Sequence, residues 1–159
     1  MKRIVVGLFL ISAYVLGVDA AFAQCACARP DITVLEEFKE SEAVFIGEIV
    51  SKDVVEKLAV PGGRQDVYDM EIKFEVKKAW RKNLQEQVSV RFLVYGCIKP
   101  FDKGTEYLVY AFNDDKGQLR TGCCCSRTRP LAKAAEDLKE FEELGEEPKQ
   151  IITTRPPEP

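Results

Sequence analysis

The sequence predicts a mainly β domain: a small closed barrel of five strands, with a short helix ahead of it and a C-terminal helix packed on it. Three observations lead there. Residues 67–80 alternate apolar and charged side chains, with Met70, Ile72, Phe74 and Val76 set between Asp69, Glu71, Lys73, Glu75 and Lys77, the period of a half-buried strand. The runs at 43–50, 88–94 and 107–112 are rich in Val, Ile, Phe and Tyr. Leu131, Ala134, Ala135, Leu138, Phe141 and Leu144 recur at helical spacing. An open antiparallel sheet carrying the same helix fits this pattern as well.

Taken in order, DITVLEEFKE (31–40) opens on an acidic cap and puts Val34, Leu35 and Phe38 on one face of a short helix. AVFIGEIV (43–50) is the first strand, with Val54 and Val55 continuing it after a bend. Pro61-Gly62-Gly63 breaks the chain into a loop. The alternating strand at 67–80 has one face for the core and one for solvent. Val88, Val90, Phe92 and Val94 repeat that pattern in the third strand. Asp102-Lys103-Gly104 turns into YLVYAF (107–112), a buried fourth strand, and Asp114-Asp115-Lys116-Gly117 makes a hairpin to a short fifth strand at Leu119-Arg120. Pro130 opens the C-terminal helix and Gly145 stops it. Residues 24–145 thus form one domain, and 146–159, with four prolines, read as a disordered tail.

The chain of 159 residues has no histidine, so a Ser-His-Asp triad, a Cys-His pair and a His-based zinc site all lack an imidazole. No enzyme activity is expected. A net charge of −3 gives no basic field to gather phosphates, and the outward face of the 67–80 strand mixes Lys73 and Lys77 with Asp69, Glu71 and Glu75. Nucleic acid is therefore not an expected partner. Trp80 among Lys77, Lys78, Arg81 and Lys82 reads as a cover for one end of the barrel.

Lys2 and Arg3 precede an apolar run, 4–18, and Ala21-Phe22-Ala23 follows with small residues flanking a cut after Ala23. This is the three-part form of a secretory signal peptide, residues 1–23. The run falls short of the roughly 20 residues that span a bilayer, so stable membrane insertion is not expected after cleavage. Removing Lys2, Arg3 and Asp19 with the leader leaves a net charge of −4. The expected location is secreted, extracellular or periplasmic.

In an oxidising compartment the six cysteines read as disulfides. Cys25 and Cys27 sit at the new N-terminus, Cys97 follows the third strand, and Cys123-Cys124-Cys125 follows the fifth. Neighbours one residue apart bridge each other poorly, so Cys25 and Cys27 each call for a distant partner. A thiolate cluster for a soft ion is the rival reading, without the paired CxxC spacing that would support it.

The order of these motifs resembles a known family. CxC directly after a leader, SEAVFIGEIV (41–50), YDMEIKFEVKKAWRKN (68–83), YGC (95–97), GTEYLVYAF (104–112) and GQLRTG (117–122) running into Cys-Ser are similar to the N-terminal domain of the tissue inhibitors of metalloproteinases. This is the netrin-like module, an OB-fold barrel, here in the short form of the bacterial members. The resemblance covers roughly 25–144. It implies a Cys25–Cys97 bridge and a Cys27–Cys125 bridge, leaving Cys123 and Cys124 unassigned. Closing the loop of about 70 residues between Cys25 and Cys97 contributes roughly 4 kcal/mol on the chain-entropy account. It also implies a mode of action: the amine and carbonyl of Cys25 chelate the catalytic zinc of a target metalloprotease. Ala26 then enters the specificity pocket, Cys27 and Ala28 continue the arm, and Val94, Tyr95, Gly96 and Cys97 complete a wedge. The protein itself would carry no metal, cofactor or catalytic residue.

Two other readings share these residues. One is a secreted netrin-like binding module that inhibits no protease, with cysteines serving structure alone. The other is a thiol or metal-handling protein built on Cys123–Cys125. The mass of the mature N-terminus and a count of free thiols separate the three.

Overall fold

Strand β1, Ala43–Leu58, is long enough to belong to two pairings at once. The structure, a computed structural model, describes residues 31–59, 67–94, 101–122 and 126–153. Along its whole length β1 pairs antiparallel with β2 (Val67–Arg81), and its first half also pairs with β4 (Glu106–Asn113), from Ala43 opposite Ala111 to Glu48 opposite Glu106. Register shifts at Val44/Phe45, Ile46/Gly47, Ile49/Ser51 and Val54/Glu56 let it coil from one partner to the other, because each extra residue sharpens the local twist. Gly47 sits at the tightest point. A Cβ there would lie 3.0 Å from the Phe74 Cβ and 3.1 Å from the Phe45 ring.

The remaining strands close the circuit. Strand β3 (Gln87–Val94) lies antiparallel to β2, and β5 (Leu119–Arg120) bridges β3 and β4, parallel to the first and antiparallel to the second. The order β1-β2-β3-β5-β4 returns to β1, a ring of five strands. A two-residue β6 (Arg129–Pro130) lies beside β4 at Tyr107 and Leu108. Helix α1 (Val34–Glu40) precedes the ring, and a single 3-10 turn (Leu131–Lys133) leads into α2 (Ala135–Glu143).

Apolar side chains divide between the two sides of the ring. Inside are Phe45, Ile49, Ile72, Phe74, Val90, Phe92, Phe101, Tyr107 and Val109, with Phe101 edge-on to Phe74 and Phe92. Outside, Val44, Ile46, Leu108 and Tyr110 face Val34 and Phe38 of α1 and Phe141 of α2. Strand β4 is buried on both sides, which is why 107–111 is a continuous apolar run.

Several expectations need correction. The cap of α1 is Thr33, which accepts from the Glu36 N–H while the Glu36 carboxylate takes the Thr33 N–H; a hydroxyl and a Glu three residues on satisfy two orphan donors reciprocally, so Asp31 is not the cap. Pro130 opens only the 3-10 turn Leu131–Lys133 and not the α-helix. It pairs with Tyr107 in β6, where its missing N–H costs nothing at an edge, and α2 begins only at Ala135. Phe112 and Leu144 are exposed, because the strand and the helix each outrun their cover. Asp69 faces a buried seam and not solvent. The helix does end at Gly145, whose φ of +70° reverses the chain.

Beyond Gly145 the chain is docked as far as Thr153, where a disordered tail was expected. Lys149 N donates to Ala79 O at 2.6 Å, Ile152 N to Leu84 O at 2.8 Å, and Glu86 N to Ile152 O at 3.0 Å. Ile151 packs on the inner core. The end of β2 and the 84–86 turn leave backbone groups that this strap satisfies. Residues 154–159 lie outside the described residues. Among the described residues no helix is long and apolar enough to cross a membrane.

Candidate functional site

Of the arm, loop and cysteine residues that the sequence singles out, Val94 alone is described: it ends β3 opposite Tyr68 and packs, half-buried, on the inner core. Cys25, Ala26, Cys27, Ala28, Tyr95, Gly96, Cys97, Cys123, Cys124 and Cys125, with both implied bridges, lie outside the described residues. The described flanks of those segments define the site. β3 and β5 run parallel with Arg91 opposite Arg120, so their C-terminal ends point the same way.

An ionic clamp holds that seam. Asp69 on β2 is 5% exposed and binds Arg91 Nη2 at 2.7 Å and Arg120 Nη2 at 3.0 Å. Arg91 Nη1 also donates to Gln118, and Arg120 Nε to Asp114 at 2.9 Å. The Arg120 guanidinium, helped by the Gln118 and Lys116 backbone N–H groups, lowers the Asp114 carboxyl to about 2. One carboxylate thereby ties β2 to β3 and β5 with geometry that single surface pairs lack.

A second network grips the segment around the cysteine triplet. β5 pairs with Phe112 and Asn113 of β4 and β6 with Tyr107 and Leu108, so neither strand pairs with Tyr110. Two hydroxyls take over the strand's hydrogen bonds there. Thr121 Oγ1 donates to Tyr110 O at 2.8 Å, and Tyr110 N donates to Thr128 Oγ1 at 2.9 Å. The hydroxyls lie 2.8 Å apart and tie Thr121 to Thr128.

From Thr128 the network reaches both helices. Ser126 Oγ donates to Glu37 Oε1 at 2.6 Å and Arg127 N to Glu37 Oε2 at 2.8 Å. Arg127 Nε binds Asp137 Oδ1 at 2.8 Å, and Arg127 Nη1 donates to Ile32 O, at the root of the N-terminal segment. Tyr110 OH donates to Asp137 Oδ1 at 2.8 Å. Asp137 is 0% exposed and Glu37 8%. Burial raises the Glu37 carboxyl above its usual range. Burial also raises the Tyr110 phenol, with the Asp137 hydrogen bond and charge adding to it. The Asp137 hydrogen bond chiefly raises the Arg127 guanidinium. A hydrogen-bonded path therefore runs from Arg91 O through the Thr121 N–H, Thr128, Ser126 and Glu37 to Arg127 and Ile32, joining the roots of all three cysteine-bearing segments.

Beside this path lies a mostly apolar groove of about 300 Å3, lined by Ile32, Glu37, Ser41, Tyr110, Phe112 and Ser126. Phe112 stands 47% exposed at its edge. Among the described residues, no cluster of three or more acidic, His or Cys side chains could hold a metal ion.

Sequence reading missed this polar framework. Helical spacing carried a signal for part of it: Glu37 lies three residues from Val34, and Asp137 lies three from Ala134 and four from Phe141, on the buried stripes. Asp69 gave none, since alternation assigns it to solvent. No protein-family model matches the chain, and no curated protein matches it significantly.

Proposed function

We propose that the chain is an exported netrin-like domain with an OB-fold barrel, and that it acts as a ligand for the active site of a zinc metalloprotease. The observation that carries this reading is the hydrogen-bonded path that links Ile32, Arg91 and the residues flanking 123–125, because an inhibitory wedge made of an N-terminal arm and a loop needs a rigid common base. The ring of five strands and the resemblance of the motif order support the fold assignment.

In this reading Cys25 presents its amine and carbonyl to the protease's zinc, in place of the catalytic water. Ala26 enters the specificity pocket, and Val94–Cys97 lies alongside. Cys25–Cys97 and Cys27–Cys125 bridges hold the arm to the ring. The chain supplies no catalytic group and no metal of its own. Zinc takes nitrogen and oxygen donors in tetrahedral or expanded sites, so a free amine with a neighbouring carbonyl is a competent bidentate ligand.

Two sequence features favour a second reading, a netrin-like binding module without inhibition. A cut after Ala23 leaves Gln24 ahead of Cys25, and an amide nitrogen, its lone pair delocalised, binds zinc poorly. Ala26 also offers only a methyl group to a specificity pocket. The mass of the exported protein, measured with and without reduction, separates the readings. A Cys25 N-terminus with two or more bridges is the result expected for the inhibitor. A Gln24 N-terminus overturns chelation, and six free thiols overturn the stapled arm and favour thiol or metal chemistry at Cys123–Cys125.

A further inference from the structure

We propose that Glu37 is a proton-dependent latch, which holds the segment after the cysteine triplet to α1 more firmly as the pH falls from neutral. The inference rests on the geometry of two buried carboxylates and is independent of any protease. Glu37 and Asp137 share one short network, and the guanidinium between them, Arg127, is spent on Asp137. Asp137 also draws the Tyr110 hydroxyl and lies 3.7 Å from Arg129 Nη1. Glu37 is left with two neutral donors, the Ser126 hydroxyl and the Arg127 N–H. Glu37 is 8% exposed, and the cost of burying its charge outweighs the opposing pull of these donors and of the Arg127 charge, which favours its protonated form.

The groups that act on Glu37 come from the elements packed on it: Ser126 and Arg127 from the segment before β6, Asp137 from α2 and Tyr110 from β4. Desolvation and the Asp137 charge raise its carboxyl, while Ser126, the Arg127 N–H and the Arg127 charge lower it, with a net rise.

Protonation leaves no group unpaired, because the hydroxyls can turn round. With Glu37 ionised, the Ser126 hydroxyl donates to it. With Glu37 protonated, the carboxyl O–H donates to Ser126 Oγ, which turns its own hydrogen to Thr128 Oγ1 at 3.0 Å, and Thr128 turns to Tyr110 O at 3.3 Å. The Arg127 N–H keeps its acceptor throughout. One proton enters at the carboxyl and none is lost elsewhere, so the latch stays closed in both states and sheds a buried charge in the acid one.

The sign follows from linkage. The folded protein binds the Glu37 proton more tightly than the unfolded chain does. The stability that Glu37 contributes is therefore fully present below 4.5 and is lost as pH rises through its higher folded midpoint.

A carboxyl-carbon NMR titration of the protein tests this directly, with amide exchange at Arg127 and Thr128 corrected for intrinsic rates. The expected result is a Glu37 midpoint above 4.5, with slower exchange at both amides on the acid side. Glu37→Gln mimics the protonated form: its amide oxygen accepts from the Arg127 N–H and its NH2 donates to Ser126. It should abolish the pH dependence of that exchange. Ser126→Ala removes a donor to the carboxylate and should move the midpoint further up. A wild-type midpoint at or below 4.5, an unchanged pH dependence in Glu37→Gln, or an unmoved midpoint in Ser126→Ala overturns the latch.

Discussion

Asp137 is the residue on which the outer side of the molecule turns. It is completely buried and answers the Tyr110 hydroxyl and the Arg127 guanidinium together. Asp137→Ala leaves the Tyr110 hydroxyl and the Arg127 Nε–H without their acceptor, and breaking a buried charged pair in this way costs about 3–5 kcal/mol, readable as a lower urea midpoint at unchanged slope. Asp114 makes a different prediction. Its carboxyl is held at about 2 in the fold against 3.8 unperturbed, so its contribution is present above 3.8 and is lost as pH falls from there to about 2. Asp114→Asn should flatten that acid limb in a pH series of denaturation curves. Glu37 acts with the opposite sign over a higher range. The two carboxylates are separable because they lie in different networks.

Among the elements, the short α1 depends on its cap and on its contact with Phe141. Thr33→Ala removes the hydroxyl that accepts from the Glu36 N–H and should cost about 1 kcal/mol. The strap after Gly145 is worth more. Ending the chain at Gly145 deletes four backbone hydrogen bonds and the apolar contact of Ile151, a loss of roughly 2–4 kcal/mol, which equilibrium unfolding of the shortened chain measures. The strap also marks where sequence reading stops. Strands and turns were legible because their cues are local: alternation in β2, the apolar run of β4, the acidic turn before β5. The strap carries no such cue. Ile151 and Ile152 sit between prolines in a polar stretch, and only the unsatisfied backbone at Ala79 and Leu84 gives them a place. The same holds for Pro130, whose role in β6 depends on a free edge of β4 far away in sequence. At the candidate site, Val94 was legible from strand alternation, whereas Asp69 was not, because its two arginines come from β3 and β5.

For the molecule as a whole, closure of the ring is what brings the separate segments together. Asp69 is its seam, and Asp69→Ala should leave Arg91 and Arg120 with only Gln118 and Asp114 and loosen β5, the shortest strand of the ring, seen as faster amide exchange at Thr121, whose N–H bonds to Arg91 O at 3.0 Å. That loosening would reach Gly122 and Ser126, and with them the base on which an inhibitory arm would stand. The most direct measurement of the proposed function is inhibition of a zinc endopeptidase by the exported protein with its Cys25 amine free, compared with the same protein after acetylation of that amine. The account predicts inhibition that competes with a zinc-chelating ligand and disappears on acetylation. Equal inhibition by both forms, or none by either, would contradict it.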